Sequence, residues 1–596
     1  MAVVAVRFAP AATADTALDA RAIAALAPRA PAGDLRVAGA GWSGWIGRTF
    51  LRERVEGQLL AAAEGVAVLF DGRLDPACNV GGAGGDAARV LAAFRAGEEN
   101  LLALAGVFAF AIVDERRRCV WLGRDATGQR PLWWTRHGHV VAAASEAHAA
   151  LRLAGRTLRE NEAAVAAHFA LRPPPGAAGW FADVEEVVPG SLLRIDAVGA
   201  RARDFATPES PRAWLRLPDD DAYADAWHAA LASAVDAALG DARAPGISLS
   251  GGLDSGALAA CARDRVAAYS WSLPNWPQCD EGAHVRAICA HTGATPHVFD
   301  GDALLPLGDA DAPVHPDAPS ANAFRALKQQ QLALARSNGC QEMLSGNYGD
   351  HVYPEADAWL AGLLRSRRGT VLGNELRGRI RQFGVRSLWR DQGWRAPLRR
   401  MLRPVQSPPP AWLGDRAREA LAAAPPSTDA AGDSRINRRL RRAVLGRSAA
   451  LDASLDTFWS DRHGIELRYP YRDPRVLAFV LALPPDVQWR HGQEKALTRR
   501  MLVGRLPEGV RQRPKSGSLL PFFRAALRGR SRPKAEALLF APDARWPAYV
   551  RREALEGAWN TTSPVEADDL LLWQAVSHER WWRALAREWP MLGSKT

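Results

Sequence analysis

Lysine is scarce in this chain. Only five of its 76 basic residues are lysines: Lys328, Lys495, Lys515, Lys534 and Lys595. Cysteine is scarce too, at six, and no two stand as a CxxC pair. That spacing argues against a disulfide scaffold or a zinc ribbon and predicts buried free thiols in a cytoplasmic protein. No run approaches the roughly 18 apolar residues of a membrane-spanning helix, so stable membrane insertion is not expected. The start, Met1-Ala-Val-Val-Ala-Val-Arg-Phe8, lacks the basic-then-apolar layout of a signal peptide and reads as a strand.

What is present fits a soluble globular protein: 48% hydrophobic and 24% charged residues, which excludes a disordered or fibrous chain. At 596 residues several domains are expected. The net charge is +11, and its placement matters more than its size. Between positions 361 and 405 twelve arginines face two acids, Glu375 and Asp391. A second basic patch holds Arg435, Arg438, Arg439, Arg441 and Arg442. Two readings stand: a solvated helical face, or a docking surface for an acidic or extended partner. No nucleic-acid recognition motif accompanies the charge, so a nucleic-acid partner is not expected.

The first 200 residues read as short strands with a few helices. Val66–Phe70 reads as a strand ending in a turn at Asp71-Gly72. Asp86 to Arg95 has helical spacing. Val107–Val113 and Cys119–Leu122 flank the charged turn Asp114–Arg118 as a hairpin. A proline-bearing stretch from Asp204 to Leu217 reads as a linker. Beyond it strands alternate with helices, the pattern of a parallel α/β sheet. The expected domains are 1–204 and 218–596, the latter with an arginine-rich helical insertion over about 360–450.

The most informative stretch is Ile247-Ser-Leu-Ser-Gly-Gly-Leu-Asp-Ser-Gly-Ala-Leu258. A strand ends at Ser250, two glycines follow, and a helix begins near Asp254-Ser255. Glycines admit a bulky anion close to the backbone, and helix-start amides favour a phosphate. Ser250 and Ser255 add hydroxyls, and Asp254 can ligate a magnesium ion shared with a phosphate chain. The loop lacks the Gly-Lys-Ser/Thr of a Walker loop.

Ser-Gly-Gly-Leu-Asp-Ser resembles the pyrophosphate loop of asparagine synthetase-like ATP-pyrophosphatases. The resemblance implies that Ser250, Gly251, Gly252, Leu253, Asp254 and Ser255 cradle ATP. Leu344-Ser-Gly-Asn-Tyr-Gly-Asp350 resembles the second nucleotide loop, which adds Ser345 and Gly346, and its Asp350 joins Asp254 in holding Mg2+. Gly464 to Asp473 resembles the motif ahead of a helix ending in Leu483-Pro484. Leu506 to Lys515 resembles the loop whose lysine contacts the acyl-adenylate, which makes Lys515, Asp254 and Asp350 the implied catalytic residues. Asp280 and Glu281 follow the second strand. They fit either a site role or a helix N-terminus with a capping acid.

The N-terminal part resembles a class II glutaminase. The stretches that carry this are Phe70–Asp75, Gly85-Asp86, Leu104–Asp114 and Leu122–Leu132. The resemblance implies an Ntn-hydrolase-like αββα domain before a parallel-sheet ATP-pyrophosphatase domain with helical additions. Two departures matter. Position 2 is Ala2, where that class carries its nucleophilic cysteine. Its oxyanion Asn-Gly is Asp71-Gly72 here, and an aspartate repels an oxyanion. No glutaminase activity is expected. Amide ligases of this family with such a domain include β-lactam synthetase and lasso peptide cyclase. The latter adenylates an Asp or Glu side chain of a precursor peptide, and the peptide's N-terminal amine attacks. The resemblance therefore implies a lasso peptide macrolactam synthetase, with a precursor peptide as substrate and a leader-peptide protease or recognition protein as partner. The alternatives are a β-lactam synthetase or an ammonia-using amide ligase. Three residues before Asp350, β-lactam synthetase has a tyrosine and asparagine synthetase a glutamate. Here the position is Asn347, which leaves the deprotonating group unassigned.

Overall fold

The computed structural model describes residues 2–10, 20–49, 57–78, 84–205, 214–240, 242–308, 312–319, 322–353, 408–424, 435–484, 493–513 and 518–588, with isolated positions between. Lys515 and nearly all of the arginine-rich stretch 361–405 lie outside the described residues.

Among the described residues the N-terminal part carries twelve strands. They are β1 (Ala2–Phe8), β2 (Asp34–Gly39), β3 (Trp42–Arg48), β4 (Leu60–Ala63), β5 (Val66–Leu74), β6 (Gly106–Asp114), β7 (Cys119–Arg124), β8 (Trp133–His137), β9 (Val140–Ala144), β10 (Glu185–Glu186), β11 (Ser191–Ile195) and β12 (Ala200–Asp204). They form two antiparallel six-stranded sheets, ordered β10-β8-β9-β1-β3-β2 and β12-β11-β7-β6-β5-β4. The two-residue period of a strand sorts the side chains into layers. Val4 and Val6 of β1 meet Ala109 and Ala111 of β6 between the sheets. Val3 and Ala5 turn outward to α1 (Ala20–Leu26) and α3 (Ala147–Leu153). On the other outer face Phe108, Phe110 and Ile112 pack under α2 (Asp86–Ala96). The order of layers is αββα.

The turn expected at Asp71-Gly72 is absent, because β5 runs straight through both residues. Gly72 sits at φ 125°, and a Cβ there would lie 2.1 Å from the Val107 carbonyl oxygen. The glycine therefore serves close strand approach rather than chain reversal, and cross-strand pairing overrides the local turn propensity.

Residues 246–468 hold a five-stranded parallel sheet of β13 (Gly246–Ser248), β14 (Ala267–Ser272), β15 (Thr295–Asp300), β16 (Glu342–Ser345) and β17 (Glu466–Arg468), in the order β15-β14-β13-β16-β17. Around it stand α5 (Asp220–Leu239), α6 (Leu253–Ala262), α7 (Gly282–Thr292) and α8 (Arg325–Ser337). The chain builds outward from β13 on one side, then returns to lay β16 on the other. The crevice beyond the C-terminal ends of β13 and β16 is therefore the switch point where such sheets bind ligands. No helix of the described residues is long and apolar enough to cross a membrane.

Several buried polar contacts join the halves, and two of them are charge clusters. The helix Arg447–Arg462 carries Asp461, which accepts from Arg29 at 2.8 Å and lies 3.4 Å from Arg130. Glu146 holds the other arm of Arg29 at 3.2 Å. Elsewhere the helix Glu566–Glu588 packs on α4 (Glu162–Phe169), where His578 lies 3.4 Å from Glu160 and the Tyr549 hydroxyl donates to the same carboxylate at 3.3 Å. Burial disfavours the His578 imidazolium, but its carboxylate neighbours outweigh that and hold it at about 9. His168 is buried nearby with its Nε2 3.1 Å from the Gln574 carbonyl oxygen, and burial drives it down to about 3.

The His578 shift makes a pH prediction. Its folded value is raised, so its contribution is complete below the unfolded value near 6.5 and is lost as pH rises to about 9. Thermal melts of the wild-type chain should show a midpoint that falls between pH 6.5 and 9.5. His578→Gln should start lower and show a flatter decline.

Candidate functional site

The site begins where β13 ends. Gly251 turns the chain at φ 68°, and a Cβ on it would crowd His284 and Glu281 at 3.0 and 3.2 Å. Gly252 then occupies the N-cap of α6, and no side chain caps that helix's first turn. Ser250 and Ser255 lean together, their hydroxyl oxygens 3.1 Å apart. The Ser250 amide donates to Ser255 Oγ at 3.1 Å.

The second loop, after β16, closes directly on the first. A Cβ on Gly346 would sit 2.8 Å from the Ser255 amide, and one on Gly349 2.5 Å from the Asp254 carboxyl carbon. Both glycines are therefore required by contact. Asp254 and Asp350 converge on one cation, the Lys495 ammonium, at 2.5 and 2.6 Å. Burial favours neutral Lys495, but the two aspartates outweigh it and hold the ammonium above its usual range. Lys495 itself sits in the left-handed region at φ 55°, a costly conformation for a long side chain.

These residues line one cavity of about 750 Å3, within the range of nucleotide-sized sites. Ser250, Gly251, Gly252, Leu253, Asp254, Ser255, Ser345, Gly346 and Asp350 all border it. Lys515, named from sequence, lies outside the described residues. No sequence motif singles out Lys495, whose only local signal is that it is one of five lysines. Arg513 also borders the cavity and pairs with Glu281 at 2.9 Å. Asp280 is a local cap: its Oδ1 accepts from the Ser272 hydroxyl and the Leu273 and Gly282 amides. These donors hold its carboxyl below the usual range in spite of burial.

Tyr348 cannot replace the missing tyrosine. It stands at φ 72°, its hydroxyl donates to the Ala449 carbonyl at 3.0 Å, and burial raises its phenol well above the usual value. Asn347 instead donates to Asp456 at 3.0 Å. One further group, Glu146, His148 and Asp317, could converge on a metal. However, Asp317 accepts from the Ala147 and His148 amides, and Arg29 already neutralises Glu146.

The N-terminal domain offers no nucleophile at the matching place. Ala2 is fully buried, and its amide donates to Asp71 Oδ1 at 2.9 Å. Arg130 lies 3.4 Å from the same oxygen. All six cysteines are buried. Burial pushes Cys261 and Cys340 up to about 12 and Cys289 to about 11.

An asparagine synthase model matches residues 226–586. The chain belongs to the asparagine synthase family. A glutamine amidotransferase domain model matches residues 83–206. Asparagine synthetase [glutamine-hydrolyzing] 3 of Bacillus subtilis (strain 168) is 23% identical over 454 residues, covering 69% of this chain and 67% of that protein. Among solved structures, the glutamine phosphoribosylpyrophosphate amidotransferase of B. subtilis with ADP and GMP aligns at 14% identity and TM-score 0.25, over 50% of this chain and 65% of that one. An allosteric regulatory enzyme of purine biosynthesis aligns at the same identity and score, over 58% and 74%. Membership of the family makes the chain an ATP-dependent amide ligase by lineage.

The contact of the two loops is testable. Gly349→Ala should displace the Asp254 carboxylate and weaken nucleotide binding at least about tenfold, a cost of about 1.4 kcal/mol. Titration with a fluorescent ATP analogue would measure it, with the circular dichroism spectrum unchanged.

Proposed function

We propose that the chain is an AMP-forming ligase without glutaminase activity that closes a macrolactam ring in a ribosomally made lasso peptide precursor. The observation that carries the ligase chemistry is the convergence of Asp254 and Asp350 on one cation beside the glycine loop. Two carboxylates that share an ammonium at 2.5–2.6 Å also suit a divalent ion. When bound there, Mg2+ would neutralise the triphosphate and the departing pyrophosphate.

The chain's own residues account for the rest. Ser250, Ser255 and the first amides of α6 take the pyrophosphate. A substrate carboxylate attacks the α-phosphorus, and pyrophosphate leaves. Lys495 stays charged against the phosphates, and Lys515 is assigned to the adenylate and the tetrahedral oxyanion. The amine then displaces AMP. Ala2 and Asp71, where a glutaminase needs a cysteine and an oxyanion donor, support an amine that comes from the substrate itself. The 750 Å3 cavity supports a substrate larger than free aspartate. A precursor peptide, a protease or recognition partner and a cytoplasmic setting belong to this proposal.

The name of the Bacillus relative supports a second reading, amidation of a free amino acid with ammonia, and a β-lactam synthetase stays beside it. With ATP, Mg2+ and a purified precursor peptide, the expected product is the peptide less one water, with AMP and pyrophosphate. Asp254→Ala should abolish it, and glutamate release from glutamine should be absent. Turnover of free aspartate with ammonia, and none of the peptide, would reject the macrolactam reading.

A further inference from the structure

A second cavity, of about 260 Å3, lies between the two halves of the molecule. Trp133, Trp180, Leu451, Leu455 and Pro174 give it an apolar wall. His168 and His315 border it as well, and burial drives both down to about 3, so their imidazoles are neutral. Its buried charges are already matched: Arg29 is held by Glu146 and Asp461, and Asp317 by His148. A 150 Å3 apolar cavity takes up benzene, so this one has room for an aromatic side chain.

The cavity opens into the nucleotide cavity. His315, Asp452, Leu455 and Gln574 border both. Among the described residues Asp452 is the carboxylate that borders both. It stands one helical turn before Asp456, on the face of the helix Arg447–Arg462 that looks into the cavities. Asp456 is engaged by Asn347 at 3.0 Å, Tyr469 at 3.3 Å and Lys328 at 3.9 Å. Asp452 makes no hydrogen bond or ion pair with a described residue, and its carboxylate is open to the cavity water.

We propose that this interdomain cavity seats the apolar side chain of the residue that carries the attacking amine, and that Asp452 receives that amine's ammonium and takes its proton. The proposal rests on the ligase reading above and names its second substrate: a primary α-amine with an aromatic or large aliphatic side chain. The ammonium gives one proton to Asp452. The neutral nitrogen attacks the acyl-adenylate carbonyl carbon, a C–N bond forms, and the C–O bond to phosphate breaks as AMP leaves with the electron pair. The second nitrogen proton passes to water. The groups facing Asp452 agree with this role. Surrounding protein and the Asp456 charge push its carboxyl up to about 6, against Arg472 and Lys328. It is ionised at neutral pH yet basic enough to accept a proton.

The test uses the full chain and three probes: phenylalaninamide, glycinamide and N-acetylphenylalaninamide, measured by calorimetry with and without α,β-methylene-ATP and Mg2+. Phenylalaninamide should bind at least tenfold more tightly than the other two. Ser448 is exposed on the cavity wall, so Ser448→Trp should erase that advantage while the affinity for a fluorescent ATP analogue holds. If Ser448→Trp does not fold, Leu451→Phe narrows the same space and should have the same effect. Phenylalaninamide affinity should fall as pH drops through about 6, and Asp452→Asn should lower it about tenfold and remove that dependence. No binding, no preference for phenylalaninamide, or indifference to the filled cavity overturns the proposal. Failure of the wild-type chain to bind the ATP analogue overturns the ligase reading instead, and the arm without nucleotide still reports on the cavity.

Discussion

Two buried arginines of the N-terminal domain, Arg29 and Arg130, reach one carboxylate of the ligase domain, Asp461. Removing any one of the three would strand a charge out of water, which costs about 3–5 kcal/mol. This contact fixes more than domain orientation. Asp461 sits on the helix that also presents Asp452 and Asp456 to the cavities, and Arg447 at its start pairs with the buried Glu186. One helix is thus pinned at both ends to the N-terminal domain and borders both cavities along its middle. The wall of the second cavity exists only because that helix and Trp133 and Trp180 are held against each other.

The same network continues into the N-terminal domain. Arg130 lies between Asp461 and Asp71, and Asp71 accepts from the Ala2 amide. The position that a glutaminase would use for its oxyanion is thus a link in an ion chain that ends in the ligase domain. Burial raises the Asp71 carboxyl, and Arg130 opposes the shift. In this reading the domain contributes a wall and a foundation.

Much of the fold was legible because its signals are local. The β6–β7 hairpin follows from two alternating runs around Asp114–Arg118, and the strand, glycine turn and helix start around Ser250–Ser255 follow from contiguous residues. The exceptions share one cause, contact between residues far apart in the chain. Asp71-Gly72 has turn chemistry, yet the strand continues because Val107 comes too close for a Cβ. Lys495 meets Asp254 across 241 positions, and no periodicity links them. Asn347 lacked a partner in the sequence, and Asp456 stands 109 positions on. Asp280 and Glu281 were undecided between cap and site. The structure makes the first a cap and gives the second to Arg513 at the cavity edge.

The preference for arginine over lysine has a chemical consequence under the proposed reaction. An acyl-adenylate reacts with any neutral amine it meets. A guanidinium stays protonated in proteins and is no acyl acceptor. Of the lysines bordering the cleft, Lys495 is held cationic between two aspartates and Lys328 lies near Asp456. Under that reaction the cleft arginines Arg325, Arg499 and Arg513 supply positive charge without an acylatable amine, and Lys495 is kept protonated by its two aspartates.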